Sequence, residues 1–283
     1  MAGTAPASRE GRQPSPEEGD TMAGTLAVIY FSPTHTSRTV AQAVAEGLGP
    51  LGLTARDVDL TPAAARGGLA LELGEGDVAV VAFPVYAGRV PRVVAEALAG
   101  VSGGGALAVP VAVYGNRDFD DALVEAADLL EAAGFGLLAA GAFVGEHSFT
   151  RLVGTDRPDA ADVEAAVALG AAAADKLAAL GGARPEPLAL PGNRPYTEYK
   201  ADLPFTPLTT DACTECGACA RVCPMDAIDP ADVRVVDARC ITCNACVKIC
   251  PVAAKTFAGT PVEGVAHMLQ ENCAARREPQ AFL

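Results

Sequence analysis

The sequence predicts an α/β protein, a doubly wound parallel five-stranded sheet followed by a small α+β unit rich in cysteine. Three observations carry that reading. From Thr25 to Leu180, short apolar runs of strand length alternate with segments of helical period. A proline-rich stretch then interrupts both periods. Beyond it, eight of the nine cysteines crowd between Cys213 and Cys250.

Thr25–Phe31 is an apolar run that ends at a turn, which suits a strand buried on both faces. Val40, Val44 and Leu48 recur at i, i+4 and i+8, and Gly49-Pro50 stops that helix. Leu51–Leu60 reads as a second, weaker strand. Asp77–Phe83 is a third, followed by the helix-compatible Val90–Leu98 and a break at Gly103, Gly104 and Gly105. Ala106–Tyr114 is a fourth, and Phe119, Leu123, Ala127 and Leu130 lay out the helix after it. Gly136–Val144 is a fifth, and Asp159–Leu180 closes the series with a long helix. Strands that alternate with helices in this way call for a parallel sheet covered on both faces.

Residues 1–22 have no apolar core of the secretory kind and are expected to be a disordered leader, with Met22 as an alternative start. The remaining divisions fall at 23–183 for the sheet domain, 184–207 for a proline-rich linker, 208–258 for the cysteine-rich domain and 259–283 for a helical tail. The linker holds Pro185, Pro187, Pro191, Pro195, Pro204 and Pro207, so it should run extended. Tyr196 and Tyr199 suggest that it packs on a domain surface as a brace. In the tail, Thr260, Pro261 at the first helical position and Glu263 spell a capping box. Val262, Ala266, Leu269 and Cys273 then share one face.

Half the residues are hydrophobic and a fifth charged, with a formal net charge of −14. That balance argues against nucleic acid, which needs a basic surface for its phosphates. No stretch approaches the ~20 apolar residues of a membrane-spanning helix. Cysteines gathered in one short segment, without an export signal, argue against a disulfide framework and for a reducing, cytoplasmic setting.

The cysteines repeat one pattern. Cys213, Cys216, Cys219 and Cys223-Pro224 are followed by Cys240, Cys243, Cys246 and Cys250-Pro251, each a C-x2-C-x2-C-x3-C-P run. Zinc sites usually bring four ligands each and often histidine, and the doubled run with prolines is much less typical of them. The spacing resembles that of bacterial ferredoxins with two [4Fe–4S] clusters. The resemblance implies that Cys213, Cys216, Cys219 and Cys250 hold one cluster, and that Cys240, Cys243, Cys246 and Cys223 hold the other.

In doubly wound sheets ligands bind beyond the carboxyl ends of the strands, where the strand order reverses. Three loops occupy such positions. The first is Ser32-Pro33-Thr34-His35-Thr36-Ser37, which runs straight into a helix and joins hydroxyls to helical N–H groups, a combination that suits a phosphate. The second is Pro84-Val85-Tyr86-Ala87-Gly88. The third passes through Gly115, Asn116, Arg117 and Phe119. Each has a plain alternative as well: hydroxyls cap helices, Tyr86 can be a rim aromatic, and Asn116-Arg117 can be a turn. Across residues 25–180 these loops resemble the flavodoxin family. That likeness implies FMN, with its phosphate in the first loop, Tyr86 beside its ring and the third loop at the ring edge. His35 stands where the family usually carries glycine; if the position needs φ > 0, its side chain strains it. His147 sits in no pattern and reads as a surface or satisfied histidine.

The two resemblances together are those of a flavodoxin–ferredoxin fusion, which implies electron transfer between two [4Fe–4S] clusters and FMN, with redox proteins as partners. Two other functions remain compatible with the sequence. The sheet domain could bind no flavin and serve for partner docking, or the flavin could reduce a small acceptor such as a quinone.

Overall fold

The computed structural model describes residues 24–200 and 205–283 together with Met1 and Gly3; the rest of the leader expected at 1–22 and residues 201–204 lie outside that set. In chain order the sheet domain contains β1 (Thr25–Tyr30), α1 (Thr36–Gly47), β2 (Thr54–Asp59), α2 (Ala63–Arg66), β3 (Leu71–Glu72), β4 (Val78–Pro84), α3 (Arg92–Leu98), β5 (Val101–Ser102), β6 (Leu107–Tyr114), α4 (Ala122–Ala132), β7 (Gly136–Leu137), β8 (Ala140–Val144) and α5 (Ala160–Leu180). The remainder contains β9 (Leu208–Thr209), α6 (Ala218–Arg221), α7 (Ala245–Ile249), β10 (Lys255–Thr256), α8 (Pro261–Asn272) and β11 (Gln280–Phe282).

The main sheet runs β2-β1-β4-β6-β8, with every neighbour parallel. Alternate residues along β1 and β4 serve two cores. Ala27, Ile29, Ala79 and Val81 face α3 and α4, while Leu26, Val28, Val78 and Val80 face α1 and α5. Burial on both faces explains the unbroken apolar runs in the sequence. The helices α1 and α5 cross so closely that a Cβ on Gly170 would lie 2.1 Å from the Val44 carbonyl oxygen. Strand order reverses between β1 and β4, so the crevice opens at their carboxyl ends.

The sheet has more than the five strands expected. A short β7 pairs with β6, and β11 from the tail lies antiparallel on the outer edge of β8, with Ala281 opposite Gly141. Gln280–Phe282 gives no sequence signal because three residues after Arg276-Arg277-Glu278-Pro279 carry no measurable period. The tail is anchored by Asn116, whose Nδ2 donates to the carbonyls of Cys273 (2.7 Å) and Ala275 (2.8 Å) and whose Oδ1 accepts from Arg277 N. Helix α8 buries Val262, Ala266 and Leu269 as expected. Its capping box does not form. The Thr260 hydroxyl donates to the Phe257 carbonyl, and Glu263 accepts from Gly259 N.

The linker is docked along its described length. Asp121, fully buried, accepts from Asn193 N and Nδ2 with one oxygen and from Thr197 N and Oγ1 with the other, at 2.7–2.9 Å. Burial alone would raise this carboxyl, but the Thr197 and Asn193 donors outweigh it and hold it at about 2. Arg194 and Tyr196 both bond Asp128. Arg89, paired with Glu125, lies over the rings of Tyr196 and Tyr199.

Candidate functional site

The cysteine-rich unit keeps its sequence repeat in three dimensions. Its two halves are related by a shift of 27 residues (Cys213 to Cys240), and the same shift relates its unusual backbone angles. Glu215 and Thr242, Gly217 and Asn244, and Asp226 and Ala253 all have positive φ. The Gly217/Asn244 pair starts α6 and α7 with one left-handed residue, which only glycine and asparagine adopt readily. That turn brings Cys219 and Cys246 back beside the cysteines that precede them.

Cys213, Cys216, Cys219 and Cys250 line one cavity, and Cys223, Cys240, Cys243 and Cys246 line a second. Each cavity therefore takes three cysteines from one motif and the fourth from the other. Among the described residues no three His, Cys, Asp or Glu side chains converge as a single-ion site; the sulfurs surround a space instead. Burial pushes the Cys240 and Cys243 thiols up and that of Cys246 to about 12. Thiols buried together in that way ionise when a cation compensates them, which is the chemistry of a metal–sulfur cofactor. Backbone N–H groups already point at the crossing sulfurs, Ala227 N to Cys223 at 3.4 Å and Ala254 N to Cys250 at 3.1 Å.

The cysteine-rich unit sits on the crevice at the strand ends. Arg66 reaches across from α2 to the Pro224 carbonyl at 2.6 Å. Lys248 of α7 pairs with Glu146, just beyond β8, at 2.7 Å, and Arg151 donates to the Lys248 carbonyl. Between the two units lies a cleft of about 340 Å³, lined on one side by Pro33, Thr34, His35 and Thr36 and on the other by Val222, Ala245, Lys248 and Ile249. That volume lies within the usual range of small-molecule sites, about 300–1,000 Å³.

The first loop carries His35 at φ 67, the left-handed conformation that a glycine would take without strain. Its side chain makes no cap to α1. Ser32 supplies that cap, its Oγ accepting from Arg38 N at 3.0 Å, so its hydroxyl serves the helix. Ser37 Oγ is buried with no hydrogen-bond partner among the described residues. Thr34 and Thr36 border the cleft.

Thr34, Thr36, Pro84, Val85, Tyr86 and Gly115 all line a narrower extension of about 50 Å³, which Cys243 roofs. Burial, with Cys243, Tyr199 and Cys240 nearby, holds the Tyr86 phenol protonated far above its ordinary value. Ala87 and Gly88 turn the chain there at positive φ, and Tyr86 and Arg89 exchange backbone hydrogen bonds. The rest of the third loop faces elsewhere. Asn116 holds the tail, Arg117 pairs with Asp120, and Phe119 packs under Tyr114 in the core.

Of the two sequence readings of His147, the structure shows the satisfied histidine, half-buried and packed against Gly115 at this extension. Its Nδ1 accepts from Phe149 N, and burial lowers it to about 4. Sequence reasoning misses Glu146 and Lys248 because their pairing is a contact across the chain, which no local spacing encodes.

The α1 N-terminus with Thr34 and Thr36 offers donors to the anionic end of a flavin nucleotide, while the cleft's cations Arg151, Arg157 and Lys248 are matched by Glu146, Asp156 and Asp162. The ring end is tight. About 50 Å³ has room for only a few water molecules, so a tricyclic ring requires Tyr86 or the Cys243 loop to give way.

Residues 208–251 match the family described as the 4Fe-4S dicluster domain, so the chain carries a ferredoxin-type iron–sulfur domain. No curated protein matches the chain. Among solved structures, a flavodoxin from the domain Archaea is similar at 12% identity and a TM-score of 0.38, over 54% of this chain and 99% of that one. A Streptococcus pneumoniae flavodoxin is similar at 22% identity and a TM-score of 0.36, over 55% and 98%. The rubredoxin oxygen:oxidoreductase of Desulfovibrio gigas is similar at 17% identity and a TM-score of 0.39, over 56% of this chain and 37% of that one. A mostly parallel α/β sheet joined to a ferredoxin-type domain supports a role in electron transfer. Among the described residues no helix is long and apolar enough to cross a membrane.

Proposed function

We propose that this chain is an electron-transfer protein that passes electrons between two [4Fe–4S] clusters and an FMN. Cys213, Cys216, Cys219 and Cys250 hold the first cluster, and Cys223, Cys240, Cys243 and Cys246 the second. Thr34, Thr36 and the N–H groups at the start of α1 take the FMN phosphate, with Tyr86 and Gly115 at the ring. Bound there, the clusters supply one-electron chemistry and the flavin one- or two-electron chemistry. The chain's own part is to bind, orient and enclose: the cysteine-rich unit covers the crevice, and Tyr86 keeps its proton beside it. Its redox partners are proteins, and cysteines gathered in one short cofactor segment suit a reducing cytoplasm.

One observation carries this reading. Cys243 of the second cysteine set lines the same cavity as Thr34, Tyr86 and Gly115. A cofactor on those sulfurs and one on those loops would share a wall. Anaerobic purification tests the content, with about eight iron and eight sulfide per chain expected and one FMN. Rapid reduction of the clusters across a dilution series tests the wiring. A flavin reduction rate independent of protein concentration supports transfer within one chain; a rate proportional to concentration rejects it.

The narrow ring end favours a second reading, in which the sheet domain holds no flavin and serves for partner docking. Protein with full clusters that takes up no FMN would establish that reading over the first.

A further inference from the structure

The two halves of the cysteine-rich unit repeat closely enough for one mismatch between them to carry weight. Under the shift of 27 residues that relates Cys213 to Cys240, the run from Cys223 to Ile228 corresponds to the run from Cys250 to Lys255. Both runs end in a short antiparallel pairing, Ile228 with Val236 and Lys255 with Thr209. Ile228 is 4% exposed, as a core residue should be, yet Lys255 at the matching position is only 2% exposed. A buried ammonium is costly unless an anion and full hydrogen bonding compensate it. Lys255 Nζ donates to the Val233 carbonyl. Its two other N–H groups find no acceptor among the described residues, and no carboxylate there pairs with it. The space this side chain borders is the cavity of Cys213, Cys216, Cys219 and Cys250. The second cavity has Ile228 in its wall instead. The two cavities are thus walled at the same place, one by a lysine and the other by an isoleucine. A cube held by four thiolates is an anion and gains a further negative charge on reduction, so a cation beside it favours the reduced form.

We propose that Lys255 is the counter-charge of the cluster in the first cavity, so that an electron entering the unit settles on the first cluster and not on the second. This rests on the two-cluster reading and does not depend on the flavin. One electron passes between the cubes, with no bond made or broken and no proton moved. Its resting place suits exchange with a partner protein. Thr214, Glu215 and Cys216 are exposed beside the first cavity, whereas Thr242, Cys243 and Cys246 are buried at the second. The first cluster is the outlet and the second the inner relay, although the cysteine spacing makes them look alike.

The test uses the full chain loaded with clusters and reduced stepwise with dithionite in the absence of oxygen. Nuclear magnetic resonance of the contact-shifted cysteine β-protons, assigned to their residues, follows the two clusters separately. In the wild-type protein the signals of Cys213, Cys216, Cys219 and Cys250 should move first. Lys255→Ile copies the residue at the matching position and keeps an apolar side chain in the slot. It should lower the ratio of reduced first cluster to reduced second cluster at least about tenfold, the scale of one unit charge at short range in a protein. For a one-electron couple that is about 59 mV. Lys255→Arg keeps the charge and should stay close to the wild type. A ratio that Lys255→Ile leaves unmoved overturns the counter-charge while the two clusters stand. Should that variant fail to hold its clusters, the wild-type order decides, and a first electron shared equally or resting on the second cluster overturns the proposal. If the wild-type chain supplied with iron and sulfide holds no [4Fe–4S] cluster, the cluster reading falls with it.

Discussion

Replacing Asp121 with asparagine should release the linker from the sheet domain. Asp121 is fully buried and receives four donors from Asn193 and Thr197, two of them backbone N–H groups. The displacement of its carboxyl from 3.8 to about 2, at about 1.4 kcal/mol per pH unit, amounts to about 2.5 kcal/mol. Hydrogen bonds to a charged group are worth about 1.5–3 kcal/mol each when measured singly, so this figure is the low end for the whole clasp. An amide in place of the carboxylate would keep one acceptor and turn an N–H against the donors that remain. A loss of about 2.5 kcal/mol raises the population of the opened linker roughly seventyfold. Amide hydrogen exchange over residues 190–200 reads that population, with the amides of Asn193 and Thr197 as reporters. The folded-state value lies below the unfolded one, so the stabilisation is present above about pH 4 and is lost as pH falls toward 2. The wild-type linker should therefore loosen over that interval, and the variant should show much less dependence. Exchange that is unchanged between the two at neutral pH would refute the reasoning.

Three further outcomes are expected. Cys223→Ala should damage the cluster held mainly by the second motif; loss of the first-motif cluster instead, followed by paramagnetic resonance, would overturn the crossed ligand sets. Thr34→Val keeps shape and removes a hydroxyl, so FMN should weaken by about 1–3 kcal/mol in an equilibrium titration while riboflavin changes little. Asn116→Leu strands two carbonyls and an N–H of the tail, which should cost about 2–3 kcal/mol and show as rapid exchange at Gln280–Phe282, with the clusters retained.

The sheet is legible in the sequence because it is buried on both faces. Runs such as Val78-Ala79-Val80-Val81-Ala82-Phe83 announce a central strand without any partner in view, and the doubled cysteine spacing announces its chemistry equally locally. Phosphate-loop residues can be placed at a strand end, but their individual duties cannot. Ser32 and Ser37 look equivalent in sequence; one caps α1 and the other is buried without a partner among the described residues. Asn116 reads as a turn residue or a ring contact, and its side chain instead ties down the tail. Its three bonds go to residues 273–277, more than 150 positions away. The same holds for Lys248, whose pairing with Glu146 arises only when the two units meet.

The antiparallel strand β11 has a consequence for synthesis. Its partner β8 ends at Val144, and Gln280 follows only after the linker, both cysteine motifs and α8 have been made. At about 5–20 residues per second, a ribosome takes roughly 7–27 s to cover that interval. Throughout it, a nascent sheet domain presents the outer edge of β8 with unpaired N–H and C=O groups, a surface that invites pairing with other chains. The edge is closed only by a segment that emerges after all eight motif cysteines. A cell that is slow to supply iron and sulfide would therefore be expected to lose this protein to aggregation of its first domain, although that domain contains no cluster ligand.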